Sequence, residues 1–116
     1  MPRSRVTARP TIPPARAAQL VSVLRELRGS VHLLAVVASG LSPRTAHYLG
    51  RPDFFASFGW SEGDVPDVTD AERAAYAGAR ALTDRLLVAA HSVLDAPSAS
   101  AFGDGVEWLA AAHAAA

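Results

Sequence analysis

The sequence contains no cysteine and no lysine. Without cysteine, disulfide bonds, thiolate chemistry and cysteine-based zinc sites are excluded. All eleven cationic side chains are arginines, a choice that a GC-rich coding sequence explains without a functional reason. The longest strongly apolar stretch, at residues 31–38, is far shorter than the roughly 20 residues needed to cross a bilayer. We therefore expect a soluble, cytoplasmic protein with no membrane partner.

Strand patterns are also missing, because no segment alternates apolar and polar residues with the β-branched and aromatic content of a strand. Alanine is abundant instead, and its small side chain suits helices that approach each other closely. A length of 116 residues is that of one domain. These features predict an all-α fold, a small single-domain bundle of about four to five helices.

The chain divides into an N-terminal arm and one helical domain. Residues 1–13 are rich in arginine and proline, which predicts an extended arm because proline disfavours a helix interior. Residues 14–116 form the predicted domain. It comprises a basic helical half at 14–50, an irregular aromatic connection at 51–69 and an acidic helical half at 70–116.

Apolar spacing and capping residues predict helices at about 14–28, 31–39, 43–49, 70–94 and 104–115. Gly29-Ser30 favours a break between the first two. The alternative is one long helix ending at Ser39, which we expect would remove the motif described below. Thr69 and Glu72 form a capping box, the clearest helix start in the chain. Residues 98–105 are expected to be a linker of small residues.

Charge is unevenly distributed, although the formal net charge is zero. Residues 1–52 carry eight arginines against Glu26 alone, a net charge of +7, and residues 53–116 carry −7. Such asymmetry favours a polyanion such as DNA, or an oppositely charged protein partner. The alternative is that the two halves neutralise each other within the folded domain.

No arrangement of residues indicates catalysis or a bound cofactor. The sequence has neither a glycine-rich phosphate loop nor the Gly-x-Ser-x-Gly motif of a serine hydrolase. The four histidines form no recognisable metal-ligand pattern: His32, His47, His91 and His113. We therefore expect a protein that is not an enzyme and that has no catalytic residue, no metal ligand and no cofactor.

One local motif points to a function. A helix at 31–39 and a helix at 43–49 are joined by a turn at Gly40, and Ser42 with Pro43 makes a good helix start. Six small or apolar residues have the spacing found in the helix-turn-helix DNA-binding superfamily: Val36, Ser39, Gly40, Leu41, Ala46 and Leu49. Over residues 36–49 the chain therefore resembles that superfamily, with no specific family indicated.

The resemblance implies a small helical DNA-binding protein, such as a transcriptional regulator or an antitoxin-like factor, that uses the motif at 31–49. The second helix of the motif would be the recognition helix, whose N-terminal residues meet base edges and phosphates. Arginines of the arm would contact the minor groove or the backbone. The predicted DNA-binding residues are Arg3, Arg5, Arg9, Ser42, Arg44, Thr45, His47 and Arg51. Ser42, Arg44, Thr45 and His47 are expected to be exposed.

Two other functions remain open. The narrow apolar stripe at residues 75–93 suits a homodimer seam, which would make the chain a helical protein-interaction module without nucleic acid. The aromatic cluster at residues 54–60 either plugs the core or lines a pocket. In the second case the chain would be a small-molecule-binding helical domain.

Overall fold

The structure is a computed structural model that describes residues 14–116. The predicted arm, with Arg3, Arg5 and Arg9, lies outside the described residues. Within the described part the fold is all-α, as predicted. The α-helices are α1 (Pro14–Ala38), α2 (Pro43–Gly50), α3 (Asp70–His91) and α4 (Ala96–Ala114). Between α2 and α3 lie 3-10 helices at Pro52–Phe54, Ala56–Phe58 and Glu62–Asp64.

Helix α1 continues through Gly29-Ser30, so the two helices predicted at 14–28 and 31–39 are one. A glycine in a helix interior costs only about 1 kcal/mol relative to alanine, which the rest of a long helix offsets. The expectation that a continuous helix would remove the motif was wrong, because a turn still separates Ala38 from α2. Across residues 14–116, no helix has both the length and the apolar character that a membrane span requires.

Helix α3 begins where the capping box predicted. The Thr69 hydroxyl accepts the Glu72 N–H at 3.1 Å, and the Glu72 carboxylate accepts the Thr69 N–H at 2.9 Å. These two bonds satisfy backbone donors that the first helical turn leaves free. The helix ends at His91, three residues before the predicted end.

Helix α4 begins eight residues earlier than predicted, so residues 98–105 are helical and the prediction of a linker there was wrong. The Asp95 carboxylate caps the helix by accepting the Ser98 N–H at 2.8 Å. Pro97 lies in the first turn of α4, where proline favours a helix start.

The core lies where α1 packs against α3. Ala35, Val36 and Ala79 are buried there, and alanines at this position let the two helix backbones approach closely. Leu41, Ala46 and Leu82 pack around them. The stripe on α3 is buried only in its N-terminal half, since the side chain of Leu86 is 44% exposed.

We expect Ala79→Leu to destabilise the fold by about 1–3 kcal/mol, because the larger side chain must separate two packed helices or adopt a strained rotamer. Ala81→Leu is the matched control, since Ala81 is exposed on the same helix. The free energy of unfolding in urea measures both. Equal stabilities for the two variants would show that α1 and α3 do not pack closely at Ala79.

The aromatic cluster divides between the core and the surface. Phe55 is buried, with the Trp60 ring stacked at 6.0 Å and the Tyr48 ring edge-on at 5.6 Å between centroids. Phe54 and Phe58 are about half exposed. Phe55 is therefore the core plug, and the exposed ring of Phe58 is free to line a surface cleft.

Large apolar side chains remain exposed on α1 and α4. No residue of α4 is buried. The exposed large apolar residues are Leu20, Val21, Val23, Leu24, Leu27, Leu33, Leu34 and Val37 on α1, and Phe102, Val106, Trp108 and Leu109 on α4. Large apolar side chains exposed at neighbouring positions of a helix mark a candidate interaction site.

Candidate nucleic-acid interface

The turn between α1 and α2 has the geometry that the sequence predicted. Helix α1 closes with the Ser39 N–H donating to the Ala35 carbonyl at 3.0 Å and the Gly40 N–H donating to the Val37 carbonyl at 3.1 Å. Gly40 has a φ of 78°, a left-handed conformation that glycine adopts without steric cost. The turn therefore depends on glycine at this position.

Helix α2 is capped by Ser42, whose hydroxyl oxygen accepts the Thr45 N–H at 3.1 Å. The same hydroxyl donates to the Thr45 Oγ1 at 3.0 Å. Thr45 is only 4% exposed, so the expectation that it lies on the exposed face was wrong. Its small polar side chain can be buried because Ser42 satisfies it, which removes Thr45 from the surface available to DNA.

Arg44 lies in the first turn of α2 and is exposed, as expected. The one ion pair among residues 14–116 joins Arg51 to Asp53, so Arg44 has no carboxylate partner in that part of the chain. The Arg44 charge nevertheless affects a carboxylate nearby, that of Asp64. Hydrogen bonds from Ser61 hold the pKa of Asp64 below its usual value, and the Arg44 guanidinium lowers it further.

His47 is half-buried rather than exposed. The Trp60 Nε1–H donates to its Nδ1 at 3.1 Å, and the Phe58 ring lies 4.1 Å from the imidazole between centroids. These contacts hold the imidazole against the aromatic connection. His47 is therefore a residue of α2 whose side chain packs on the connection instead of extending into solvent.

Arg51 follows α2 and is 58% exposed. Its guanidinium contacts the Asp53 carboxylate at 3.4 Å and lies 4.1 Å above the centroid of the Phe54 ring. The hydrogen bond from Arg51 holds the pKa of Asp53 below its usual value. An exposed pair with contacts this long contributes little to stability, so Arg51 remains available to an anionic partner.

A cleft of about 420 Å³ lies beside the motif, where α1, α2 and α3 meet. The sequence did not predict this cleft. Its lining is made of cationic, aromatic and small residues: Arg28, His32, Ala46, His47, Gly50, Arg51, Phe58, Tyr76 and Arg80. A Cβ atom on Gly50 would lie 2.5 Å from the Tyr76 hydroxyl, so a larger residue there would require the Tyr76 side chain to move.

His32 connects this cleft to the core. The fully buried Thr83 hydroxyl donates to the Ala79 carbonyl at 2.8 Å, so its oxygen is left to accept from the His32 Nδ1–H at 3.1 Å. Burial, and then the charges of Arg28 and Arg80, hold the pKa of His32 below its usual value of 6.5. The imidazole is therefore neutral at pH 7.

We expect His32 to make stability depend on pH. Because its pKa is lower in the folded state, the unfolded chain takes up the proton first, and the folded state loses stability as the pH falls below about 6.5. Histidine NMR titration should give His32 a pKa below 6.5, and His32→Asn should reduce the loss of unfolding free energy between pH 7 and pH 5. A titration midpoint at or above 6.5 would contradict this.

Sequence reasoning found the exposed end of α2 but missed Arg28, His32, Tyr76 and Arg80. One signal was present, since Arg28 and His32 are four residues apart and so share a face of a helix. This spacing did not lead to a prediction, because the break predicted at Gly29 placed Arg28 and His32 on different helices. Within residues 14–116, no group of three histidine or carboxylate side chains could hold a metal ion.

Comparison with known proteins agrees with this geometry. A family model described as a helix-turn-helix family matches residues 4–116, nearly the full chain and far beyond the 14 residues that carried the resemblance. No curated protein and no solved structure matches the chain.

Proposed function

Because the chain belongs to a helix-turn-helix family, we propose that it binds duplex DNA, with the start of α2 in the major groove. The observation that supports this most directly is Arg44, an exposed guanidinium in the first turn of the motif's second helix that has no carboxylate partner among residues 14–116. Side chains at this end of a recognition helix reach base edges and phosphates. A guanidinium can bind guanine or phosphate with two hydrogen bonds.

The other proposed contacts with DNA come from exposed residues around α2 and from the arm. Arg51 is exposed just beyond α2 and would bind a phosphate, and Ser42 is exposed at the helix start. Arg3, Arg5 and Arg9 remain proposed contacts of the arm. Thr45 is not part of the proposal, because it is buried, and His47 would serve by shaping the surface. Both a transcriptional regulator and an antitoxin-like factor would use this interface, and either would act in the cytoplasm.

Binding to a mixed-sequence duplex, followed by fluorescence anisotropy at several salt concentrations, tests the proposal. Affinity should fall steeply with salt, with a log–log slope of about −0.9 for each phosphate that the protein neutralises. A protein with no affinity for the duplex at micromolar concentration and low salt would not be a DNA-binding protein, and a helical interaction module would take its place.

We also propose that the protein acts as a homodimer in which α1 of one copy packs against α4 of the other. Leu20, Leu24 and Leu27 on α1 have the same four-then-three spacing as Phe102, Val106 and Leu109 on α4. Each set therefore forms one apolar stripe, and every member is more than a third exposed.

Charge supports this pairing. Helix α1 carries Arg16, Arg25 and Arg28 with one carboxylate, whereas α4 carries Asp104 and Glu107 and no arginine. A two-fold axis would form the contact twice, because α1 of each copy would then pack against α4 of the other. Two recognition helices on one dimer would read two half-sites of an operator.

A further inference from the structure

We propose that the cleft between α1, α2 and α3 is a binding site for a small aromatic carboxylate. This goes beyond DNA binding, since a ligand of that kind needs neither a nucleic acid nor a second copy of the chain. Three properties of the cleft support it: the charge of its lining, its aromatic wall and its size.

The lining is cationic on three sides. Arg28 comes from α1, Arg80 from α3, and Arg51 follows α2, and no carboxylate of residues 14–116 lines the cleft. Such a concentration of positive charge is unfavourable unless an anion or solvent compensates it. Arg51 has a carboxylate beside it, Asp53, but that contact is long and exposed. A ligand carboxylate could therefore replace it and take the two hydrogen bonds that a guanidinium offers.

The wall of the cleft is aromatic. Phe58 lines it and is 47% exposed, although its neighbour Phe55 is buried. The imidazole of His47 lies 4.1 Å from the Phe58 ring between centroids, and Tyr76 lines the cleft from α3. Flat, rigid side chains of this kind are well suited to a flat ligand, because ring faces and edges attract one another when offset or edge-on.

The volume separates an organic anion from an inorganic one. About 420 Å³ lies within the range of roughly 300–1,000 Å³ that small-molecule sites occupy. A phosphate ion would leave most of this space, and the aromatic wall, without a contact. An aromatic ring bearing one carboxylate would use the arginines and the Phe58 ring together.

Trp60 provides a direct reporter for the test. Its indole N–H donates to His47 on the wall of the cleft, so a ligand beside His47 should shift the Trp60 indole resonance. The indole of Trp108 lies on α4 and is 69% exposed, which makes it an internal reference. The full chain, without DNA, is titrated with 2-naphthoate, with the uncharged 2-naphthamide, and with inorganic phosphate.

We expect a saturable shift of the Trp60 resonance with 2-naphthoate, and binding of 2-naphthamide and phosphate at least about tenfold weaker. Arg80→Ala should weaken 2-naphthoate binding at least about tenfold, as loss of a charge-assisted hydrogen bond does. Arg85→Ala is the matched control, because Arg85 is exposed on the same helix and does not line the cleft. Circular dichroism confirms that each variant is folded.

Three results would overturn the proposal. They are the absence of a saturable Trp60 shift with 2-naphthoate, binding of 2-naphthamide or phosphate as tight as that of 2-naphthoate, and equal affinities in the Arg80→Ala and Arg85→Ala variants. Because the titration contains no DNA, these results are independent of the DNA-binding test. Either proposal can therefore fail while the other stands.

Discussion

Leu24→Asp should convert the proposed homodimer into a monomer. Leu24 is the middle member of the α1 stripe and is 37% exposed in the single chain. An aspartate there would be buried against the apolar stripe of α4, and burying an unpaired charge is strongly unfavourable. The change occurs twice in a symmetric dimer. If each of the two contacts loses about 2 kcal/mol of binding free energy, the dissociation constant should rise by roughly a thousandfold.

Sedimentation over a range of micromolar concentrations measures this dissociation constant. Ser22→Asp is the matched control, because it adds the same charge two residues away, on the opposite face of α1. The control should remain a dimer, and both variants should keep their helical content. A wild-type chain that sediments as a monomer would contradict the dimer, and a dimeric Leu24→Asp variant would place its interface elsewhere.

Arg44→Ala should weaken binding to a preferred DNA site by about 1–3 kcal/mol, a factor of roughly 5 to 150. The loss on random DNA should be smaller, because one phosphate contact among several is all that the variant gives up there. The preferred site is obtained by selection from a random duplex library with the wild-type protein. Anisotropy titrations on the selected site and on a scrambled site then give both losses.

Arg85→Ala serves as the control for charge, since it removes an exposed arginine of α3, away from the motif. It should change neither affinity by as much as Arg44→Ala does. Equal losses for Arg44→Ala on the two sites would limit Arg44 to a phosphate contact and contradict its role in reading sequence. A dissociation constant unchanged by Arg44→Ala would remove α2 from the interface.

Local signals in the sequence predicted the parts of this fold that depend on local chemistry. The capping residues Ser42 and Thr69 mark the starts of α2 and α3, because a cap is satisfied within three residues of itself. Gly40 predicted the turn because the left-handed conformation that glycine allows is also a local property. The sequence was misleading at Gly29, where a residue that often ends helices lies inside one.

The cleft could not be predicted in the same way. Arg28, Arg51 and Arg80 are more than 20 residues apart in sequence, and only the packing of α1 on α3 brings them to one place. The exposure of Thr45 was wrong because helical spacing alone does not say that Ser42 satisfies its side chain and allows it to be buried. Contacts between distant segments decide these features.

The unbroken course of α1 has a mechanical consequence. At 1.5 Å per residue, its 25 residues make a rod about 37 Å long. The proposed dimer contact, Leu20 to Leu27, lies in its N-terminal half, the cleft follows from Arg28, and the turn into α2 lies at its C-terminal end. A tilt of about 5° about the N-terminal end of α1 would displace its C-terminal end by about 3 Å. In the proposed dimer, a pivot of α1 would therefore change the separation of the two recognition helices, which a helix broken at Gly29 would not transmit.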